Sequence, residues 1–345
     1  MNINDLLQVA IDKGASDLHL DVGLLPVLRI DGELQPLSKF PQIVNKEMKE
    51  MVASMLTQRQ METLEKSRDL DISHEIDDTR FRVNIHFERE HLALVARIIS
   101  NEMPTLESVG MSEAIKKMLE NTRGLVLVTG PTGCGKSTTL AAMIDYINNN
   151  FRRKIITLED PIEYVFKSKK SIVVQRQLGS DMPTFESALK HALRQDPNVI
   201  MVGEMRDLET IAATITLAET GHLVLATLHT YNAAQSIDRI IDVFPPHQQN
   251  QVRAQLSMVL EAVISQRLIP AKKGGRVATR EIMIRNAAVG NLIRENKIAQ
   301  IQSVIESSGG EGMISAERDI RNLMDADLIS KEVAENQLRI MGLDM

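Results

Sequence analysis

The feature that most constrains this chain is a glycine-rich turn, Gly130-Pro131-Thr132-Gly133-Cys134-Gly135-Lys136-Ser137, set between an apolar run (Leu125–Thr129) and a helical stretch (Ser137–Ile147). It fits G-x-x-x-x-G-K-[ST], and a strand before with a helix after is the context that gives the pattern meaning. Glycines let the backbone curl until successive N–H groups point inward at phosphate oxygens. The following helix adds the positive end of its dipole. In such a loop Lys136 reaches the β- and γ-phosphates and Ser137 ligates Mg2+. Gly130 through Thr138 are therefore the candidate nucleotide-binding residues, with ATP and Mg2+ as the expected ligands. Cys134 sits inside this loop. It reads either as a small loop residue or, beside helix N–H groups, as a thiol of lowered pKa open to oxidation.

Three more short apolar runs follow, Ile155–Leu158, Val199–Val202 and Leu223–Thr227, with helical stretches between them. Continuous apolar strands alternating with helices predict a parallel sheet buried on both faces, and ligands of such sheets bind beyond the strands' carboxyl ends. Acidic groups stand at those ends. Asn198–Glu204 (NVIMVGE) is a strand ending in a carboxylate suited to a Mg2+-associated acid. Leu158–Tyr164 (LEDPIEY) gathers Glu159, Asp160 and Glu163 where a carboxylate can orient or deprotonate an attacking water. His222 precedes the fourth run and His229 follows it. A histidine at a strand end can sense a γ-phosphate through an N–H donor, or can simply be structural.

Ahead of this region the texture differs. Residues 3–13 read as an amphipathic helix ending at Gly14, Asp17–Asp21 alternates like a strand, and Val27–Leu37 reads as a hairpin turning at Asp31-Gly32. Residues 46–66 carry a helical pattern, and Asp69–Glu75, Arg80–Glu88 and Leu92–Ser100 alternate again. These elements make an α+β domain over residues 1–100. Asn101–Gly110 carries a proline and turn formers, which places a linker at 101–112, followed by the nucleotide domain to residue 285. Within that domain residues 246–267 read as one long helix and Lys272–Ile284 as a glycine-turn hairpin. Residues 286–345 are helical in pattern, broken at Ser307–Gly312.

Composition narrows the function classes. The formal net charge is -6, whereas a protein gripping duplex nucleic acid usually carries a basic face. No Trp is present and only 7 Phe and 3 Tyr, few stacking platforms for single strands. A lone cysteine rules out an intrachain disulfide and a multi-cysteine zinc site and fits a reducing, cytoplasmic setting. The first residues carry acids early and lack a basic stretch followed by an apolar one, unlike a signal peptide. No uncharged run approaches the roughly 20 residues needed to span a bilayer. The 18 Met serve as core filler or as adaptable surfaces between subunits.

Taken together, GPTGCGKSTTLAAMIDYIN resembles the Walker A segment of the secretion-type ATPases, ITLEDPIEY their aspartate box, VGEMRDLET their Walker B and TGHLVLATLHT their histidine box. GASDLHL near the N-terminus and NLIREN (Asn291–Asn296) are similar to the PilT-like branch, the type IV pilus retraction ATPases. The resemblance covers essentially the whole chain. It implies an α/β fold with a PAS-like N-terminal domain and a RecA-like P-loop domain, assembled as a homohexameric ring with nucleotide between domains and between subunits. Under it, Glu163 activates the hydrolytic water, Glu204 acts on Mg2+ directly or through water, His229 contacts the γ-phosphate region and His222 supports the histidine box. Arg82 and Arg97 match arginine-finger positions, with Arg80 and Arg123 as helpers. Arginine suits that task through its permanent charge and planar fork. The tail departs from the family's AIRNLIRE: it reads Ala287-Ala288-Val289-Gly290-Asn291-Leu292-Ile293-Arg294-Glu295, so the first arginine is missing while Arg294 and Glu295 remain.

The resemblance further implies ATP hydrolysis coupled to pilus retraction and twitching motility, a PilC-like platform protein of the inner membrane as partner, and a PilU-like paralogue beside it. It places the protein in the cytoplasm, peripheral to the inner membrane, with no nucleic-acid partner and no insertion of its own. The rival readings are a PilU-like accessory subunit, an assembly or secretion ATPase of the same superfamily, and a nucleic-acid translocase. The intact Lys136, Glu163 and Glu204 argue against an inactive subunit. The absence of a four-cysteine zinc motif argues against assembly.

Overall fold

Alternation of apolar and polar residues builds the first unit, Met1–Glu102, in the computed structural model, which describes residues 1–77, 79–99 and 102–342. Its strands are β1 (Asp17–Asp21), β2 (Val27–Ile30), β3 (Glu33–Pro36), β4 (Asp69–Ile76), β5 (Thr79–Glu88) and β6 (His91–Ile99). They form one sheet in the order β3-β2-β1-β6-β5-β4, antiparallel throughout. Phe81, Val83 and Ile85 of β5 are fully buried and alternate with Arg82, Asn84 and His86 on the other face. Leu6 and Leu7 of the helix Ile3–Asp12, with Met48, Met51 and Val52 of the helix Asn45–Met55, complete that core. The β2–β3 turn has positive φ at both central residues, Asp31 and Gly32, the mirror-image turn whose twist matches the strands.

The helical pattern over 46–66 resolves into two helices, Asn45–Met55 and Gln58–Ser67. Thr57 forms a capping box with Gln60, so the chain leaves helical geometry at Leu56 and Thr57 to start afresh.

The second unit, Met103–Met345, holds β7 (Gly124–Thr129), β8 (Lys154–Glu159), β9 (Ile172–Gln177), β10 (Val199–Val202), β11 (Leu223–Leu228), β12 (Leu260–Pro270) and β13 (Arg276–Ile284). Their order is β13-β12-β7-β11-β10-β8-β9. All neighbours pair in parallel except the β12–β13 hairpin. Every residue of β7, β10 and β11 is buried, as expected of strands covered on both faces. One face packs on the helix Lys136–Asn150 and on Leu106, Met111, Ile115 and Leu119. The other packs on the helices Phe185–Ala192, Leu208–Glu219, Ala233–Asp242 and Pro246–Val259.

Two expectations fail here for the same reason. The helix predicted over 246–267 stops at Val259, and Leu260–Pro270 is strand β12. The hairpin placed at Lys272–Ile284 therefore has its first arm well before Lys272. Leu260, Ala262, Val263 and Ile264 are all completely buried between β7 and β13, so tertiary pairing overrides a local helical pattern. Strand β9 also escaped the sequence reading, because half of it is polar (Gln175, Arg176, Gln177).

From Ala287 to Gly342 the chain is mostly helical, and residues 343–345 of the helical region expected at 286–345 lie outside the described residues. Val289, Ile293, Ile301 and Ile305 join the main core, while Ile320, Ala334 and Leu338 gather with Ile269 in a small core of their own. Of the linker expected at 101–112, Asn101 lies outside the described residues, and Leu106 and Met111 pack within the second unit. Among the described residues no helix is long and apolar enough to cross a membrane.

Candidate active site

Strand β7 delivers Gly130 and the helix Lys136–Asn150 begins right after Gly135, which caps it in the left-handed conformation at φ 89°. Gly130 is where glycine is demanded. Its φ is 141°, and a Cβ there would lie 2.2 Å from the Gln266 carbonyl oxygen and 2.6 Å from Cys134 Sγ. The loop thus rests flush on strand β12. Gly130→Ala should destabilise the second unit by about 1–3 kcal/mol, since a backbone carbonyl cannot yield. Thermal unfolding checks this, and an unchanged midpoint would refute the close fit.

The Lys136 ammonium donates to the carbonyls of Gly130 at 2.8 Å and Pro131 at 3.0 Å, folded over the loop it serves. Burial draws its pKa below the ordinary lysine value, against the opposing charges of Cys134, Glu204 and Glu163. Thr132, Gly133, Gly135, Lys136, Ser137 and Thr138 line a cleft of about 470 Å³, and Glu159, Asp160, Glu163, Glu204, Arg206 and His229 line it with them. Gly130, Pro131 and Cys134 are not among its lining residues. The low-pKa reading of Cys134 is overturned. Only 3% exposed, its thiol is pushed up by burial, which outweighs the charge of Lys136 and its hydrogen bonds.

Four acidic residues flank the loop at adjacent strand ends, Glu159, Asp160 and Glu163 at the end of β8 and Glu204 beyond β10. Beyond β10, Glu204 Oε2 accepts from Arg206 Nη2 at 2.7 Å, and its Oε1 lies 3.3 Å from His229 Nε2. Arg206 Nη1 is also 3.8 Å from Asp160 Oδ2. Burial alone would raise the Glu204 carboxyl, but the Arg206 hydrogen bond and charge, with His229 and Lys136, hold it below the usual range. It therefore stays ionised. Glu163 is exposed at the cleft.

Glu159, at the end of β8, is buried and accepts from Thr157 Oγ1 at 2.6 Å and Gln175 Nε2 at 3.0 Å. Burial nonetheless raises its pKa above the ordinary value. A carboxyl whose folded pKa exceeds its unfolded one holds its proton tighter in the folded chain, so its contribution is favourable at low pH and fades as pH rises through the raised value. Glu159→Gln should therefore raise the unfolding midpoint at pH 8 and give no gain near pH 4. A difference independent of pH would contradict the assignment.

The structure does not bring every predicted residue here. His222 stands at the opposite end of β11, its Nδ1 3.0 Å from the Leu217 carbonyl and its own carbonyl accepting from Gly124 N–H. A strand of this length rises roughly 20 Å, so the structure does not bring His222 to the cleft beside His229. Arg123 precedes β7 at that same far end. Arg294 and Glu295 are exposed around the C-terminus of the helix Ala287–Arg294, bonded to Asn291 and Lys297. Arg82 and Arg97 belong to the first unit, where they are direct cross-strand partners. Both are exposed, Arg97 Nε donating to the buried Asp17 at 2.7 Å and Arg82 Nη2 lying 3.6 Å from Asp71. Arg80 is half-buried on the same strand.

Several site residues had gone unremarked. Arg206 follows Glu204 by two positions, a spacing that in a loop brings an acid and a base together. Thr227 donates to the Gly203 carbonyl at the cleft wall. Leu268 and Arg276 reach the cleft from the β12–β13 hairpin, which was hidden while β12 read as helix.

A glycine-rich phosphate loop at the carboxyl edge of a parallel sheet, with acids on neighbouring strand ends, defines a P-loop nucleotide-binding unit. The chain belongs to the type II/IV secretion system protein family, whose model matches residues 1–321. It is 46% identical over 341 residues, 99% of each chain, to the type IV pilus retraction ATPase PilT of Pseudomonas aeruginosa. It is likewise 46% identical over 314 residues to a twitching motility protein of Neisseria gonorrhoeae, covering 90% of this chain and 84% of that one. The crystal structure of the pilus retraction motor PilT with bound ADP superposes with a TM-score of 0.92 at 44% identity, over 97% of this chain and 96% of that one.

Proposed function

We propose that this protein is an ATP-hydrolysing motor that retracts type IV pili. The observation that carries this reading is the convergence of Lys136, Ser137, Glu163 and Glu204 on one cleft, in a chain similar to a pilus retraction ATPase from end to end. Loop N–H groups and the Lys136 ammonium hold the nucleotide's phosphates, helped by the N-terminus of the helix Lys136–Asn150.

The residues present fit Mg2+. The Ser137 hydroxyl and the ionised Glu204 offer oxygen donors, and Mg2+ takes few protein ligands beside phosphates and waters. When bound, the ion neutralises charge on the β- and γ-oxygens. Arg206 and His229 hold the Glu204 carboxylate in place.

Glu163 is the base that orients and deprotonates the attacking water. Glu163→Gln should lower turnover by about 10²–10⁴-fold with nucleotide affinity retained. A steady-state phosphate-release assay beside a binding titration tests this, and unchanged turnover would remove Glu163 from the role. Arg82 and Arg97 are the candidate arginine fingers, suited by permanent charge and a planar fork to offset charge that grows on the transferred phosphate. Six copies in a ring would pass the hydrolysis cycle around and turn a PilC-like platform protein, with a PilU-like paralogue as auxiliary motor.

A further inference from the structure

Strand β12 carries a buried amide that the chemistry above does not use. Gln266 is 2% exposed. Its Nε2 donates to the Cys134 carbonyl of the phosphate loop at 2.8 Å, and its Oε1 accepts from Thr139 Oγ1 at 2.9 Å. One side chain thus clasps the loop and the first turn of the helix behind it. Its backbone carbonyl is the one that Gly130 rests against.

In the hairpin register Gln266 pairs with Arg280, and Ile264 with Ile282. Directly paired residues point to the same sheet face. On that face Leu106 and Met111 pack with Ile264 and Ile282. The Arg280 guanidinium donates through Nη2 to the Val109 carbonyl, and a Cβ on Gly110 would be 3.3 Å from its Nη1. Arg280 is itself fixed at the main chain, its N–H donating to Asp319 Oδ2 at 2.7 Å.

We propose that Gln266 and Arg280 are a positioning couple that ties the shape of the phosphate loop to the segment Thr105–Met111, through which the chain enters the second unit. The proposal rests on the loop's being the nucleotide seat. When the loop tightens on a phosphate, the Cys134 carbonyl moves. A close-packed interior passes such a shift on because its groups have no free space to absorb it. Strand β12 lies between β7 and β13 and cannot slip alone, so Arg280 and the Val109 carbonyl move with it. Nucleotide state then reaches the interdomain connection through one cross-strand pair.

Amide exchange on the full chain, with and without saturating ADP, tests this. The reporters are Val109, Gly110 and Met111, whose N–H groups close turns onto Thr105, Glu107 and Leu106. ADP should slow their exchange in the wild-type chain. In Arg280→Met the ADP-dependent change should shrink by about fivefold or more while ADP affinity stays within about twofold. Gln266→Met should weaken ADP by about tenfold and, at saturation, also lose the change. A merely structural role would alter exchange equally with and without ADP. If Arg280→Met does not fold, Arg280→Lys decides: a response cut by about half or more supports the couple, and a wild-type response overturns it. Equal ADP responses in Arg280→Met and wild type, or none in wild type that binds ADP, overturn it as well. Failure of the wild-type chain to bind ADP at all would instead overturn the nucleotide seat itself.

Discussion

Lys136→Ala should abolish ATP turnover and weaken nucleotide binding by about 10–100-fold, the worth of a charge-assisted hydrogen bond. Two effects add at this position. The phosphates lose a cation poised over the loop, bonded to the carbonyls of Gly130 and Pro131. In addition, Glu204 and Glu163, whose charges act on Lys136 across the cleft, are left facing an anion with less to offset them. The fold should survive, because the helix that starts at Lys136 is held by Leu140, Ile144 and Ile147 in the core and not by the ammonium. Phosphate release with a parallel thermal melt separates lost chemistry from lost structure. Parental turnover in a folded Lys136→Ala chain would mean that this loop is not where ATP reacts.

Arg97→Ala should lower turnover by about 10³-fold, the lower range for an arginine finger, while nucleotide affinity stays within about twofold. The local geometry prepares Arg97 for such a task. Asp17, with a side chain only 5% exposed, takes its Nε at 2.7 Å, and the side chain of Arg97 is 68% exposed, its two terminal nitrogens making no hydrogen bond among the described residues. A guanidinium gripped at Nε presents its fork with little rotamer freedom left to lose. Arg97→Lys keeps the charge without the fork and should recover little. Because Asp17 still has Ser16 Oγ at 2.8 Å and Arg29 Nε at 3.9 Å, the first unit should remain folded. Equal losses in binding and turnover would count against the finger role.

Much of this was legible in the sequence, and the parts that were not share a cause. The phosphate loop was unmistakable because Gly, Lys and Ser are required at fixed spacing by backbone geometry and charge. Strand β10 was placed to the residue and β7, β8 and β11 nearly so, since strands buried on both faces must be apolar throughout. Hairpin β2–β3 was fixed by Asp31-Gly32, which a mirror-image turn calls for. What failed depends on partners distant in the chain. Leu260–Pro270 is a strand only because β7 and β13 flank it. Gln266 gains meaning only from Cys134 and Thr139 brought beside it, and Arg206 from Asp160 at the neighbouring strand end as well as from the nearby Glu204. His222 shared a motif with His229, but six residues of extended chain send the two rings to opposite edges of the sheet. Cys134 lies on a phosphate loop, and sequence gives no sign that its thiol turns inward.

If ATP hydrolysis at Lys136 and Glu163 retracts pili, loss of the gene must leave pili that extend and are not withdrawn. The decisive measurement deletes the gene in its native cell and counts surface pili against twitching. The expected result is hyperpiliated cells that do not twitch, restored by the wild-type gene and not by the Glu163→Gln allele. Cells with few pili, or cells that go on twitching without the gene, would contradict it.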